Sequence, residues 1–232
     1  MKQILKAFII LPFSFSVFNC LQAQPLKPLK AFTHADTLRG TYGPTRTWWN
    51  LLHYDLNAFF NLKDSSIAGS NIIHFEAFKK SAIMQIDLQE PMIIDKIQFA
   101  SLGSNKIEVI KPEDIKKDGN AYFFPLKDCN IGNGNFVTVS FHGKPRIAIR
   151  PPWDGGLIMK KDEKGNPFVS IACQGLGASV WYPCKDHQAD EPDSGAAMHI
   201  TIPDTLMCVG NGRFGGKINN GNGTSTYTWS VK

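Results

Sequence analysis

The chain has 232 residues, of which 43% are hydrophobic and 19% are charged, with a formal net charge of +5. This length can bury a substantial core in one domain or in two small ones. Sixteen Phe, five Trp and five Tyr favour sheets over helical bundles. The Lys and Arg residues are scattered rather than clustered, which argues against a nucleic-acid-binding surface.

The first 23 residues have the pattern of a signal peptide. A positive start, "MKQILK", precedes about a dozen apolar residues and a small-residue cleavage pattern that ends near Ala23. The apolar run is too short to span a membrane, so we predict an exported protein, periplasmic or extracellular, with no membrane span. Lipoprotein anchoring through Cys20 is disfavoured, because Phe18 and Asn19 stand where small residues are required.

Residues 24–50 are rich in Pro, Thr and Gly and show no periodicity. They predict an extended lead-in that crosses the domain surface and is anchored by Trp48 and Trp49.

From residue 51 to residue 232 the pattern is that of short strands separated by Gly- and Asn-containing turns. The first strand alternates strictly, and one face carries Leu52, Tyr54, Leu56, Ala58, Phe60 and Leu62. We predict an all-β fold with less than about a tenth of its residues in helices, either an antiparallel β-sandwich or a curved, saddle-like sheet. The last predicted strand runs to Lys232, so we expect a domain truncated at or near its C-terminal end.

Four cysteines follow the predicted cleavage site: Cys129, Cys173, Cys184 and Cys208. Export permits disulfides, and four cysteines allow three pairings among which the sequence does not choose. Reduced, buried thiols remain an equal alternative. No C-x-x-C motif occurs, so the sequence lacks the pattern of a zinc finger or a thioredoxin-like centre.

The stretch "CQGLGASVWYPCKDHQADEPDS", residues 173–194, concentrates polar groups that could serve chemistry. Metal ligation would draw on Cys184, Asp186, His187, Asp190, Glu191 and Asp193. Their spacing fits no closed zinc or calcium site, so we expect the carboxylates to cap turns and to pair with Lys or Arg. A hydrolase nucleophile is equally unsupported, because no G-x-S-x-G motif occurs. We therefore predict neither a catalytic residue nor a metal site in this chain.

Four tryptophans raise an alternative function. Trp48, Trp49, Trp153 and Trp181 could form a stacking platform, as in a free-standing exported β-sandwich module that binds carbohydrate or peptide. Core packing is the competing interpretation of the same residues.

Several motifs resemble, in order, the end of the N-terminal β-domain in the aminopeptidase N family of zinc metallopeptidases, the gluzincins. They are Cys173-Gln174, Trp181-Tyr182-Pro183-Cys184-Lys185-Asp186, Glu191-Pro192-Asp193, "MHITIP" and "CVGNGR". The upstream stretch "HYDLNAFFNLKDSSIAGSNIIHFEA" is similar to the opening hairpin of that family, with Gly69 between its strands. The resemblance covers residues 50–232 approximately.

The resemblance implies a non-catalytic N-terminal domain. The chemistry of the family resides in a following helical domain with an H-E-x-x-H motif, a distal Glu and a G-x-M-E-N segment, and none of these occurs here. Zinc is therefore implied for the full-length family and no cofactor for this chain. The implied partner is the missing catalytic domain, without which the chain is expected to be inactive.

The resemblance also implies a role for Gln174. In the family, a residue at this position enters the shared active site, where Gln174 would bind the N-terminus of the peptide substrate. The alternative is a glutamine on a strand edge that bonds to the backbone. The Pro183–Asp186 segment is expected to be structural.

Overall fold

The computed structural model of the protein describes residues 31–232. The predicted signal peptide (residues 1–23) and Cys20 lie outside the described residues, so export and the domain boundaries stay predictions. Within residues 31–232, no helix is both long and apolar enough to cross a membrane.

The described residues form thirteen strands and one short α-helix. The helix is α1 (His34–Gly40), and the strands are β1 (Trp49–Asn61), β2 (Ser66–Ala77), β3 (Ala82–Asp87), β4 (Ile93–Ser101), β5 (Ile107–Val109), β6 (Lys116–Asp118), β7 (Ala121–Leu126), β8 (Gly132–Gly143), β9 (Gly156–Lys161), β10 (Pro167–Ala172), β11 (Ala196–Pro203), β12 (Arg213–Asn219) and β13 (Thr224–Val231). Two 3₁₀ turns lie at Pro112–Asp114 and Ala178–Val180. The predicted all-β fold is confirmed.

The strands form one large sheet and two small ones. The large sheet has the order β12-β13-β11-β1-β2-β8-β4-β5, and the small sheets are β3-β7-β6 and β9-β10. The predicted β1–β2 hairpin is present, and β9 and β10 form a second hairpin. One pair, β1 with β11, is parallel rather than antiparallel. Parallel strands need a crossover connection, which here comprises residues 62–195.

The inward face of β1 differs from the sequence prediction at one position. Leu51 is buried and Leu52 is only partly buried, while Tyr54, Leu56, Ala58 and Phe60 are buried as predicted. Leu62, the last residue of the predicted face, follows the end of β1 and is partly buried. The β1–β2 register shifts between Leu51 and His53, which is a β-bulge. A bulge inserts one extra residue into one strand, so it exchanges the faces of the residues that precede it.

The main core lies between the large sheet and the β3-β7-β6 sheet. Phe75 from β2 and Phe124 from β7 are fully buried in it. Trp48 and Trp49 meet Phe75 edge-to-face, with ring centroids 5.9 and 5.7 Å apart.

The burial of the tryptophans overturns the carbohydrate platform. Trp48, Trp49 and Trp181 are 1%, 0% and 9% exposed, so their rings pack in the core. Of the four residues in that hypothesis, Trp153 alone is exposed, at 82%. One isolated indole is not a platform.

The predicted extended lead-in is wrong in two respects. It contains helix α1, and β1 begins within it at Trp49. A seven-residue helix has little stability of its own, so tertiary contacts must hold it. Arg46 provides them, because its Nη1 donates to the carbonyls of Leu38, Arg39 and Thr41 at 2.9–3.0 Å. Such contacts leave no periodic pattern in the sequence, so periodicity could not predict this helix.

Arg46 and Asp87 form a buried ion pair at 2.5 Å, with side chains 0% and 7% exposed. Asp87 also accepts hydrogen bonds from Gln85 Nε2 at 3.1 Å and from the Asp186 backbone N–H at 3.2 Å. Burial raises the pKa of the Asp87 carboxyl, and Arg46 and these hydrogen bonds oppose that shift. Removing one partner would leave the other charge buried without compensation.

We predict that Arg46→Met lowers the free energy of unfolding by about 3–5 kcal/mol, the range for breaking a buried pair. Urea denaturation measures the change. The control is Lys117→Met, which breaks an exposed pair with Glu90 at 2.6 Å. Solvent screens that pair, so the control should unfold close to the wild-type midpoint. Equal midpoints for Arg46→Met and the wild type would contradict the prediction.

We predict that Gly69→Ala destabilises the β1–β2 hairpin by about 1–3 kcal/mol, the usual cost of overpacking. A Cβ on Gly69 would lie 2.0 Å from the carbonyl oxygen of Asn57 in the paired strand. Thermal melting measures the loss. Gly40→Ala is the matched control, since a Cβ there meets no atom within 4 Å. The prediction fails if both variants melt together with the wild type.

Candidate functional site

The segment from Cys173 to Pro192 and the C-terminal end of α1 enclose a concavity of about 610 Å³. Its lining includes the side chains that the sequence singled out, among them Gln174, Asp186, His187 and Asp190, together with Arg39 from α1. The structure thus brings most of the candidate residues to one surface. Asp193 does not line the concavity and instead accepts a hydrogen bond from Asn50 at 2.8 Å.

Gln174 lies in a turn that follows β10, two residues after Ala172, and its side chain is exposed. The turn closes through backbone hydrogen bonds from Leu176 and Gly177 to the Cys173 carbonyl, at 3.1 and 2.9 Å. Within the described residues the Gln174 side chain has no hydrogen-bond partner. It is therefore not the strand-edge glutamine of the alternative hypothesis, and its amide is free to bind a ligand.

Two side chains fix the turn that carries Gln174. Arg39 Nη1 donates to the Gly175 carbonyl at 2.8 Å. Gln89 Nε2 donates to the Leu176 carbonyl at 2.6 Å and to Ser179 Oγ at 2.9 Å. The turn is therefore held from both α1 and the end of β3, and the free amide stands on a fixed backbone.

Asp186 links the two sides of the concavity. Its carboxylate accepts a hydrogen bond from Ser179 Oγ at 2.6 Å and lies 3.5 Å from Arg39 Nε. Gly177 stands directly against it, because a Cβ at Gly177 would approach Asp186 Oδ1 to 2.2 Å. Gly177 also has a φ of +81°, which a side chain would strain. A glycine is therefore required at this point of the turn.

Lys185 belongs to the lining of the concavity, but its side chain is fully buried. Its Nζ donates to the Trp49 carbonyl at 2.8 Å, pairs with Asp190 and lies 4.0 Å from the centre of the Trp49 ring. Burial lowers the pKa of the Lys185 ammonium, and Asp190 opposes that shift. The backbone N–H of Lys185 donates to Tyr54 Oη at 2.8 Å. These contacts give the segment around Lys185 a structural role.

Four of the six candidate metal ligands, Asp186, His187, Asp190 and Asp193, are engaged with other partners. His187 Nε2 lies 3.1 Å from the Gly40 carbonyl and its ring packs on Tyr42 at 4.9 Å. Cys184 is buried, and burial raises the pKa of its thiol well above the ordinary value. In the described part of the chain, no three His, Cys, Asp or Glu side chains are arranged to hold a metal ion. The donor set does not fit zinc.

All four cysteines in residues 31–232 are free thiols. Cys129 and Cys184 are buried, and burial raises the pKa of the Cys129 thiol to about 11. Such thiols are largely protonated at neutral pH and are poor nucleophiles.

Sequence reasoning missed Arg39 and Gln89, which hold the Gln174 turn. Arg39 stands in a segment with no periodicity, and Gln89 follows an ordinary strand. Neither belongs to a motif, so the sequence contained no signal that could have found them.

Comparison with known proteins identifies the fold. No protein-family model matches the chain, and the search of curated proteins finds no match. Among solved structures, an M1 zinc metallopeptidase from Deinococcus radiodurans, a point mutant bound to a Tyr-Ser-Ala substrate, matches with a TM-score of 0.56 and 18% sequence identity. That match covers 81% of this chain and 40% of the other.

Two further structures agree. A point mutant of the M1 zinc metallopeptidase from Deinococcus radiodurans has a TM-score of 0.58 at 17% identity, over 81% of this chain and 40% of that chain. A two-domain M1 zinc metallopeptidase mutant bound to L-tryptophan has a TM-score of 0.55 at 18% identity, over 82% and 40%. The chain spans 40% of the length of these structures. At such low identity the likeness is one of fold, and that fold matches the all-β N-terminal domain of M1 peptidases.

Proposed function

We propose that this chain is the non-catalytic N-terminal domain of an exported zinc aminopeptidase-like metallopeptidase. One observation supports the proposal most: the chain has the fold of part of the M1 zinc metallopeptidases and spans 40% of their length. One of those enzymes binds a tripeptide substrate, Tyr-Ser-Ala. In the proposed assembly this domain packs on a helical catalytic domain, and the concavity around Gln174 faces the shared cleft.

Gln174 is proposed to bind the substrate N-terminus. Its side chain is exposed at the concavity and has no partner within the described residues, while its backbone is held by Arg39 and Gln89 contacts. A carboxamide oxygen accepts a hydrogen bond from an α-ammonium without adding charge. A fixed amide would orient the first residue of the peptide for attack at its carbonyl, which is a positioning effect.

Zinc would come from the catalytic domain. Within the described residues the candidate donors form no group of three that fits zinc, and Asp190, Asp186 and His187 pair with Lys185, Arg39 and a backbone carbonyl. The zinc would supply an activated water for hydrolysis, and this chain would contribute substrate binding alone. The direct test is the reading frame after Lys232, where the proposal requires a helical domain with H-E-x-x-H.

We predict that the 232-residue chain neither retains stoichiometric zinc nor releases N-terminal residues from peptides. The reason is the missing H-E-x-x-H motif, whose two His would bind the zinc and whose Glu would act as the general base. Metal analysis after dialysis, together with a chromogenic amino-acid amide assay, measures both properties. One zinc per chain with turnover would contradict the assignment of a non-catalytic domain.

We predict that Gln174→Ala in the full-length protein lowers kcat/KM for unblocked peptides by about tenfold to a hundredfold. This corresponds to roughly 1–3 kcal/mol for a hydrogen bond to a charged group. Steady-state kinetics measures the loss, which should shrink for a substrate analogue without the amino group. The melting temperature should stay unchanged because the side chain is exposed.

Gln188→Ala is the matched control, because Gln188 is a second exposed amide in the lining of the same concavity. It should leave kcat/KM near the wild-type value. Native kinetics for Gln174→Ala, or equal losses for both variants, would refute the role assigned to Gln174.

A further inference from the structure

We propose that Trp153 is a specificity-determining residue, which binds an apolar side chain at the second or third residue of the peptide. This inference rests on the proposed function, because it requires the peptide N-terminus to lie at Gln174. It adds a substrate class: unblocked peptides with an aromatic or large aliphatic residue just after the first.

The loop that carries Trp153 has a fixed shape. Asp154 Oδ1 pairs with Arg146 Nη2 at 2.6 Å, and Asp154 Oδ2 accepts a hydrogen bond from the Ile149 N–H at 2.7 Å. The Trp153 N–H donates to the Arg150 carbonyl at 3.0 Å. These contacts hold the backbone on both sides of Trp153, which reduces the entropy that the loop loses on binding.

This loop packs directly on the turn that carries Gln174. A Cβ on Gly155 would lie 3.0 Å from the Gln174 carbonyl oxygen and 2.9 Å from Leu176 Cδ1, so the two backbones touch at a glycine. Trp153 precedes Gly155 by two residues, and two residues span at most about 7 Å. Three residues of a bound peptide span about 10 Å. The side chains that follow the first residue are therefore within reach of the Trp153 ring.

The chemistry of Trp153 suits such a contact. Its side chain is 82% exposed, although an indole buries more apolar area than almost any other side chain when it is covered. The other tryptophans of the described chain are buried or partly buried in the core. Tryptophan is also the residue type most enriched among binding hot spots. Trp153 does not line the concavity itself, but its loop packs on the turn that carries Gln174, so in the proposed complex the indole would extend the binding surface beyond the concavity.

The experiment compares three peptides, Leu-Gly-Gly, Leu-Phe-Gly and Leu-Gly-Phe, in the full-length protein. The variants are Trp153→Ala, Trp153→Phe and Phe168→Ala. Phe168 is a matched control, because it is an exposed aromatic residue on the β9–β10 hairpin, which follows the Trp153 loop. It pairs with Lys160, four positions along the strands from the Gly156–Ala172 pair. Four positions correspond to about 13 Å along a strand.

We expect Trp153→Ala to lower kcat/KM roughly tenfold for at least one Phe-containing peptide, and to leave Leu-Gly-Gly nearly unchanged. Trp153→Phe should retain most of the preference, and Phe168→Ala all of it. Equal losses on all three peptides would overturn the inference, because they indicate that the loop packs on the catalytic domain. Unchanged kinetics would also overturn it.

Failure of the inference is distinguishable from failure of the proposed function. If the wild type cleaves the peptides and Gln174→Ala loses activity while Trp153→Ala does not, the inference alone is wrong. If the wild type cleaves none of them, or if Gln174→Ala has native kinetics, the proposed function is wrong and the role of Trp153 falls with it.

Discussion

The Arg46–Asp87 ion pair joins three parts of the chain that lie far apart in sequence. Arg46 binds the carbonyls at the end of α1, and Asp87 ends β3 and accepts the N–H of Asp186. The backbones of Asp87 and Cys184 also exchange two hydrogen bonds, at 2.9 and 3.1 Å. A buried ion pair is costly unless its geometry is good and most of its polar groups are hydrogen-bonded, and here Arg46 Nε alone of the pair's side-chain nitrogen and oxygen atoms is buried without a partner. This arrangement therefore tolerates little displacement of any of its three parts.

The Arg46–Asp87 ion pair also determines the geometry of the candidate site. Because Arg46 holds the end of α1, Arg39 is held where it reaches the Gly175 carbonyl and the Asp186 carboxylate. Because Asp87 holds Asp186, the carboxylate stands beside Gly177 and Ser179. The buried Arg46–Asp87 pair thus positions the turn that carries Gln174, although the pair lies at a distance from it. The side chain of Gln174 does not contribute to this placement.

The sequence predicted the strands and turns whose signal is a local pattern of residues. It did not predict the features that depend on contacts between distant residues. Alternation predicted β1, and turn residues predicted a series of short strands, because both signals lie within a few residues. The motif order around Gln174 likewise indicated the site. The bulge at Leu51 and the contacts of Arg39 and Gln89 could not be predicted, because each depends on partners tens of residues away. Helix α1 could not be predicted because Arg46, which holds its end, belongs to no periodic pattern. Trp153 and the buried tryptophans looked alike in sequence, and only packing separated them.

The parallel pairing of β1 with β11 has a consequence for the order of folding. β1 occupies the middle of the large sheet, yet one of its two edges is covered only by residues 196–203. During synthesis from the N-terminus, the chain up to residue 195 can assemble β2, β8, β4 and β5 on one side of β1, while the other side stays an open edge. An unpaired edge can template association with other chains, and non-local parallel pairing is slow to form. A nascent chain of this protein therefore exposes an unpaired, association-prone edge of β1 until β11 emerges. A chaperone would be most useful during this stage.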